Sequence, residues 1–130
     1  MKVEILTLCD YAQTYGDRLT IVGAFSSLNA KEFPLSMHDV TLVAKIILDE
    51  QDNRKHDVTI TIKKEGEAEP ILGPIPTPLD MSNNKGDFVA ANLILKIGHL
   101  TIPSQGKYNL IFSFDGNETI TRLSAIGPKQ

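Results

Sequence analysis

The sequence predicts an all-β domain, an antiparallel β-sandwich of about seven or eight short strands. Three observations predict it: apolar residues recur with a period of two, turn signals separate the runs, and no convincing amphipathic helix is present. A chain of 130 residues has room for one domain of ordinary size. We therefore expect a single unit over residues 1–130.

Composition and charge narrow the class of protein. With 42% hydrophobic and 22% charged residues, the chain is globular rather than disordered or fibrous. Its 13 basic and 16 acidic residues give a net charge of −3, so we expect neither a nucleic acid nor a membrane as partner. Cys9 has no second cysteine to pair with, and the N-terminus lacks an apolar leader. Both features predict a cytoplasmic location.

The first third of the chain predicts two strands. Residues 3–9 are apolar on both faces, which is typical of an interior strand covered from two sides. The polar stretch 10–18 is predicted to be a loop, and alternation resumes over residues 19–25. Residues 26–34 lose the alternation and end on a proline, so they are predicted to be a loop as well.

The middle third predicts a hairpin and a long loop. Residues 40–48 and 58–62 alternate and flank the polar turn 49–55, so we expect the two strands to pair. Residues 64–86 contain four prolines and three glycines, with the prolines confined to residues 70–78. This composition predicts a crossover loop. Whether the proline-rich stretch has a function of its own is left open.

Residues 88–97 are apolar at nearly every position, so both a strand and a helix fit the pattern. We predict a strand, because Gly98 follows without a helical cap sequence and the extended pattern resumes at residues 100–102. Gly98 is then a bulge or a kink. Residues 108–114 and 120–126 close the chain. We predict a three-residue loop through Asn117 between them, because it sets Phe112 opposite Ile120, whereas a two-residue loop would set Phe112 opposite Thr119. The strands should share one core that includes Leu42, Ile46, Ile60, Leu110 and Phe112.

Candidate chemistry is sparse, and we predict no catalytic, cofactor-binding or metal-binding residues. His38, His56 and His99 are scattered in the sequence, without the close spacing of a zinc-chelating pair. His56 stands beside Asp57, which could orient a general base, but a surface histidine at a turn is the expected reading. Cys9 lies in a two-sided apolar strand and should be buried and unreactive.

Two further patterns point away from common binding sites. The acidic cluster around Asp49 and Asp52 has oxygen ligands for calcium, but Arg54 and Lys55 follow at once, so a solvated turn is predicted. No Gly-x-Ser-x-Gly segment and no phosphate-binding glycine cluster occurs, so hydrolases and nucleotide-binding proteins lose their usual signatures.

These observations predict a non-enzymatic module for protein interaction or assembly, with an unknown protein partner or with self-association through an edge strand. The alternative is a module that binds a small ligand or a carbohydrate near Tyr11 and Tyr15, and a divergent hydrolase is third. A concave pocket lined by those tyrosines would favour the ligand. A flat apolar surface or an unpaired sheet edge would favour the interaction.

Two segments carry resemblances. Tyr108 follows Gly106 at the start of a core strand, which resembles the tyrosine corner of immunoglobulin-like and fibronectin-like sandwiches. Residues 8–10 (Leu-Cys-Asp), followed by residues 16–25, resemble a family of short bacterial proteins of about this length that form a domain of unknown function. The resemblance implies a bacterial, immunoglobulin-like β-sandwich and transfers no catalytic or binding residue.

Overall fold

A computed structural model describes residues 1–16, 18–82 and 88–128, and these residues form an all-β structure. The described residues contain no helix, and therefore none that could span a membrane. They form ten strands: β1 (Lys2–Cys9), β2 (Tyr11–Tyr15), β3 (Arg18–Val22), β4 (Ser27–Asn29), β5 (Leu35–Asp49), β6 (Lys55–Lys64), β7 (Pro70–Asp80), β8 (Phe88–Ile102), β9 (Gly106–Phe114) and β10 (Asn117–Ile126).

The strands are arranged in three sheets. The first has the order β1-β5-β8, the second has the order β4-β10-β9-β6-β7, and β2 and β3 form a separate hairpin. One of the three sheets is curled as a half-barrel. Every pairing between described strands is antiparallel except that of β4 with β10. The predicted antiparallel character therefore holds for all but one ladder.

The three-stranded and five-stranded sheets share one hydrophobic core. All five residues that the sequence predicts in the core lie in it, and each is at most 2% exposed: Leu42, Ile46, Ile60, Leu110 and Phe112. Each of them sits on the more apolar face of an alternating strand, which is the face that a sheet buries. This part of the prediction is confirmed.

The β2–β3 hairpin covers part of the other face of the three-stranded sheet. Cys9, Ala12 and Val43 form a second buried cluster there, and Leu19 and Ile21 of the hairpin pack against it. This cover explains why β1 is apolar on both faces. β1 nevertheless lies at the edge of its sheet, so the interior strand predicted for residues 3–9 is wrong in position.

Three of the ten strands fall in segments that the sequence predicts to be loops, and they explain why the predicted number of strands is too small. β2 lies in the polar stretch 10–18, β4 in the segment 26–34, and β7 in the proline-rich stretch. Both β4 and β7 are edge strands of the five-stranded sheet. An edge strand tolerates polar residues and prolines because one side of its backbone needs no partner.

The predicted pairing of residues 40–48 with residues 58–62 is wrong. β5 pairs with β1 and β8, whereas β6 pairs with β7 and β9. The polar turn between them carries the chain from one sheet to the other, and Ile46 and Ile60 belong to the same core from opposite sheets. Alternation predicts a buried face, but it does not distinguish a neighbour in the same sheet from one across the core.

The ambiguous segment 88–97 is a strand, as predicted, and it continues through Gly98 to form β8. Gly98 has a φ of 79° and pairs with Val40, where the register between β5 and β8 shifts. A left-handed glycine at such a shift is typical of a β-bulge, which confirms the bulge predicted at this position.

The turn between β9 and β10 is shorter than predicted. Asn117 pairs with Phe114, so the loop has two residues and Phe112 lies opposite Thr119 rather than Ile120. Asp115 and Gly116 both have positive φ, at 48° and 81°, as a type I′ turn requires. The geometry of Asp-Gly therefore outweighs the apolar match on which the three-residue loop was predicted, and Ile120 is left half exposed.

Tyr108 adopts the local geometry that its spacing predicts. Its side chain is fully buried, and its hydroxyl donates a hydrogen bond to the carbonyl oxygen of Ser104 at 2.6 Å. The backbone N–H of Ser104 donates to the same hydroxyl at 3.3 Å. The tyrosine thus fixes the connection between β8 and β9 from within the core.

Candidate functional site

A cleft of about 330 Å³ opens where β1 passes into the β2–β3 hairpin. Its other wall is the irregular part of the ladder between β5 and β8. A volume near 300 Å³ is at the lower end of small-ligand pockets. The residues that line the cleft are Asp10, Tyr11, Asp39, Val40, Thr41, Lys96 and Gly98.

Asp10 is positioned by the chain that returns from the hairpin. Its backbone N–H donates to the carbonyl oxygens of Val22 at 3.1 Å and Gly23 at 3.2 Å. Gly23 has a φ of 69°, and a Cβ atom built on it would lie 2.3 Å from Oδ2 of Asp10. The carboxylate of Asp10 therefore occupies space that only a glycine at position 23 leaves free.

Asp39 is positioned by the bulge. It has a φ of 60°, and the register between β5 and β8 shifts on both sides of Val40. Aspartate tolerates the left-handed region better than most residues do, but the conformation still costs free energy relative to a regular strand. The bulge interrupts the ladder beside the cleft, which is how such features commonly re-aim a side chain.

Thr41 and Lys96 are direct neighbours across the β5–β8 ladder. Thr41 is only 5% exposed, whereas Lys96 is exposed. The side chains of these two residues, and those of Asp10 and Asp39, make no hydrogen bond or ion pair with any described residue. Two carboxylates, an ammonium group and a hydroxyl therefore belong to residues that line the cleft, and the described part of the protein leaves their bonding capacity unused.

The two tyrosines that the sequence singles out are not together at the cleft. Tyr11 lines it and is 47% exposed, and its hydroxyl donates to Oε1 of Gln13. Tyr15 lies at the far end of β2, is 75% exposed, and is not part of the cleft lining. Only the first of the two predicted residues is thus placed where a ligand in this cleft could contact it.

The three histidines divide into a pair and a single buried ring. His38 and His99 are opposite each other on β5 and β8, and their rings stack with centroids 5.0 Å apart. His56 is buried, so the surface position predicted for it is wrong. Its Nδ1 lies 2.5 Å from Oδ2 of Asp115, and its Nε2 lies 2.6 Å from the carbonyl oxygen of Asn53.

Asp115 thus takes the place that the sequence suggested for Asp57 beside His56. Each ring nitrogen of His56 is therefore engaged by a neighbouring group of the protein. The side chain ties the turn before β6 to the β9–β10 turn. We therefore interpret His56 as a structural residue rather than as a general base.

The acidic turn after β5 uses its carboxylates within the turn. Asp49 Oδ1 accepts the backbone N–H of Gln51 at 2.8 Å, and Asp52 Oδ2 accepts the backbone N–H of Asp49 at 2.9 Å. The N-terminal ammonium group of Met1 lies 2.6 Å from Asp52 Oδ1 and, together with the Asp49 bond, holds the pKa of Asp52 below its usual value. No group of three or more potential metal ligands occurs among the described residues.

Cys9 is fully buried, as predicted, and lies under the hairpin. Burial raises the pKa of its thiol, the hydrogen bond to the carbonyl of Tyr11 opposes this effect, and the nearby charge of Asp10 adds to it. The thiol is therefore kept in its protonated, unreactive form.

The sequence did not indicate four of the residues that make the cleft: Asp10, Asp39, Thr41 and Lys96. They come from separate segments, and only the strand register with its bulge brings them together. Isolated glycines within strand patterns, such as Gly23 and Gly98, were the available signal, because they often mark a bulge or a close approach.

The fold and the site define an all-β domain with a polar cleft at the base of a hairpin. The chain belongs to a family of unknown function, DUF6941, whose profile matches residues 4–124. No curated protein and no solved structure matches the chain.

Proposed function

We propose that the protein is a non-enzymatic assembly module that joins a second copy of itself along the outer edge of β8. The observation that carries the proposal is the edge itself. β8 is 15 residues long and pairs with β5 on one side, and no described strand pairs with its other side. An edge of this length offers a row of backbone donors and acceptors to another strand.

The side chains of β8 support the same reading. Its core-facing row is only partly buried, at Ala91, Leu93, Leu95 and Ile97, although these residues pack against the main core. The central strand β5, which has a neighbour on each side, carries fully buried residues in the same core. A strand added beside β8 would remove more of this apolar row from water.

A particular register fits a second copy. The regular part of β8 ends at the Gly98 bulge, so the segment available for pairing is 89–97, with Leu93 at its centre. Antiparallel pairing about Leu93 sets Lys96 of each copy opposite Ala90 of the other. No two like charges then face each other, whereas a centre at residue 96 would set the two Lys96 side chains against each other.

The experiment changes the charge at position 90, because Ala90 is exposed and its substitution leaves the core intact. Ala90→Glu should tighten the dimer and Ala90→Lys should weaken it. With two symmetric pairs per dimer, we expect a change in Kd of about 2- to 30-fold in each direction. Sedimentation velocity over a range of protein concentrations measures both.

The matched control is Ala68→Lys, which adds the same charge at an exposed site in the turn before β7, and Ala90→Lys combined with Lys96→Glu should restore the dimer. A wild-type chain that stays monomeric at several hundred micromolar would overturn the proposal. Equal effects of Ala90→Glu and Ala90→Lys would overturn the register.

Several wider features belong to this proposal. The shared core of two sheets and the Tyr108–Ser104 bond support an immunoglobulin-like sandwich as the architecture. The single, buried Cys9 supports a reducing, cytoplasmic location, and the resemblance noted above supports a bacterial origin. We propose neither a nucleic acid nor a membrane as partner.

A second candidate function is the binding of a small ligand, and the cleft beside Tyr11 is the observation that favours it. The third candidate, a divergent hydrolase, has less support. Among the described residues, no serine or cysteine is hydrogen-bonded to a histidine, which is the arrangement that activates such a nucleophile.

A further inference from the structure

We infer that the cleft at the base of the β2–β3 hairpin binds a neutral polyhydroxylated ligand, a saccharide unit. The inference builds on the second candidate function and does not depend on pairing along β8. Its starting point is Thr41, which is 5% exposed and lines the cleft, yet whose hydroxyl has no hydrogen-bond partner among the described residues. The hydroxyl is not one of the described side-chain atoms that are both shielded from solvent and unpartnered, so it is open to the cleft and available to hydrogen-bond a ligand there.

The charged side chains of the residues that line the cleft also lack partners among the described residues. Asp10, Asp39 and Lys96 make no ion pair with each other or with any other described residue. The cleft thus combines acceptors on two carboxylates, donors on one ammonium group, and a hydroxyl that can do both. A ligand that satisfies this set needs donors and acceptors at close spacing.

Hydroxyl groups on a sugar ring meet that requirement, because each one donates to a carboxylate and accepts from an ammonium group. The exposed face of Tyr11 offers an apolar surface for the C–H face of the ring. The two carboxylates and the ammonium group sum to a charge of −1, so a simple anion would be opposed, whereas a neutral ligand with several hydroxyl groups can bond to all three charged groups at once. The volume of about 330 Å³ is suited to one ring rather than to a long chain.

The backbone indicates that the arrangement is built into the fold. Asp39 is held in a left-handed conformation that a regular strand would avoid, and Gly23 leaves the space that the carboxylate of Asp10 fills. Both features hold acidic residues at the cleft that Thr41 also lines, and neither carboxylate makes a hydrogen bond or an ion pair with a described residue. They are the reason that we read the cleft as a site rather than as a surface irregularity.

The experiment is a titration of the full chain, isotopically labelled with ¹⁵N, with glucose, galactose, mannose and N-acetylglucosamine, each followed by amide chemical shifts. At least one sugar should shift the amides of Thr41, Asp39 and Gly98 in a saturable way. Thr41→Val should then raise the Kd for that sugar by about 2- to 10-fold, which is the effect of one lost hydrogen bond. The thermal midpoint should not fall, because the hydroxyl makes no bond within the described protein.

The matched control is Thr20→Val, which removes a hydroxyl from an exposed position on the hairpin outside the cleft. The inference is overturned if none of the four sugars binds, if shifts map elsewhere, or if Thr41→Val and Thr20→Val bind equally well. Glycine and calcium chloride serve as further probes. Saturable binding of either one in the cleft without binding of a sugar would overturn the ligand class. These variants lie away from Ala90, so a failure here does not bear on the β8 edge.

Discussion

The two long edge strands β7 and β8 differ in what they offer to an incoming strand. β7 carries four prolines in 11 residues, whereas β8 carries none in 15. Pro76 and Pro78 lie opposite Thr59 and Asp57 in the ladder with β6. Because proline has no N–H and alternate residues of a strand direct their N–H groups to opposite sides, these prolines occupy positions that face away from β6.

The outer edge of β7 therefore lacks donors at every second residue of this stretch, and a further strand finds little to pair with. β8 keeps all its donors and is interrupted only by the Gly98 bulge. The protein therefore protects the outer edge of β7 against pairing and leaves that of β8 open in the part of the chain that the structure describes. Because the same chain protects β7 with prolines, we expect a partner strand to pair with the open edge of β8.

Restoring donors to β7 should have the largest effect. We expect the double variant Pro76→Thr with Pro78→Thr to fold, because threonine suits a strand, but to associate steeply with concentration. Each copy would then have two open edges, and contacts through both would repeat without closing. Light scattering against protein concentration measures the change.

Pro103→Thr is the control, because Pro103 follows β8 and lies outside both ladders. If the double variant keeps the size distribution of the wild type at the same concentration, the prolines do not guard the edge. The comparison between the two edges would then lose its physical basis.

The same two strands show how far the sequence carries the fold. The strand character of residues 88–97 was predictable, because Gly98 follows without a helical cap sequence and the extended pattern resumes at residues 100–102. β7 was not, because proline counts against an interior strand and the sequence does not state which strands are edges. Edge position is a property of topology, and topology depended on β5 and β6 lying in different sheets.

The cleft was less predictable than the fold. Tyr11 was indicated as an aromatic residue in a polar stretch, but Thr41 gave no signal, since a threonine in an alternating strand is ordinary. Its role depends on the register with Lys96 and on the bulge beside Asp39. A shift of one residue in that ladder would turn the side chain of Thr41 to the other face of the sheet.

β7 and β8 each contain one glycine with a positive φ, Gly73 and Gly98. Substitution of each by alanine should lower the free energy of unfolding by a different amount. A Cβ on Gly98 meets no atom within 4 Å, so Gly98→Ala should cost about 1 to 2 kcal/mol for the φ of the residue alone. A Cβ on Gly73 would lie 2.3 Å from the carbonyl oxygen of Ile60 and 2.9 Å from the N of Ile75. Gly73→Ala should therefore cost more than twice as much in free energy of unfolding, measured by urea denaturation.

Gly16→Ala is the matched control, because Gly16 has a φ of 65°, no atom within 4 Å of an added Cβ, and no place in either edge strand. It should behave like Gly98→Ala. Equal losses for Gly73→Ala and Gly98→Ala would show that β7 is not held tightly against β6, and that its edge is less fixed than the proline pattern implies.

The two edges of the three-stranded sheet, β1 and β8, should also differ in the reactivity of a thiol. Cys9 on β1 lies beneath the hairpin, and burial raises the pKa of its thiol. An aromatic disulfide reagent at pH 8 should therefore modify it at least about 100-fold more slowly in the native than in the denatured chain. Because its pKa is raised in the folded state, the thiol favours folding below its ordinary titration range. That contribution is lost as the pH rises through the raised value.

The thiol introduced by Ala90→Cys, in a chain that also carries Cys9→Ala, should react at nearly the rate of a free thiol in dilute solution. It should react more slowly at higher protein concentration, as pairing along β8 sets in. Fast reaction of Cys9 would show that the hairpin does not cover β1, and a rate at position 90 that is independent of concentration would show that β8 stays open.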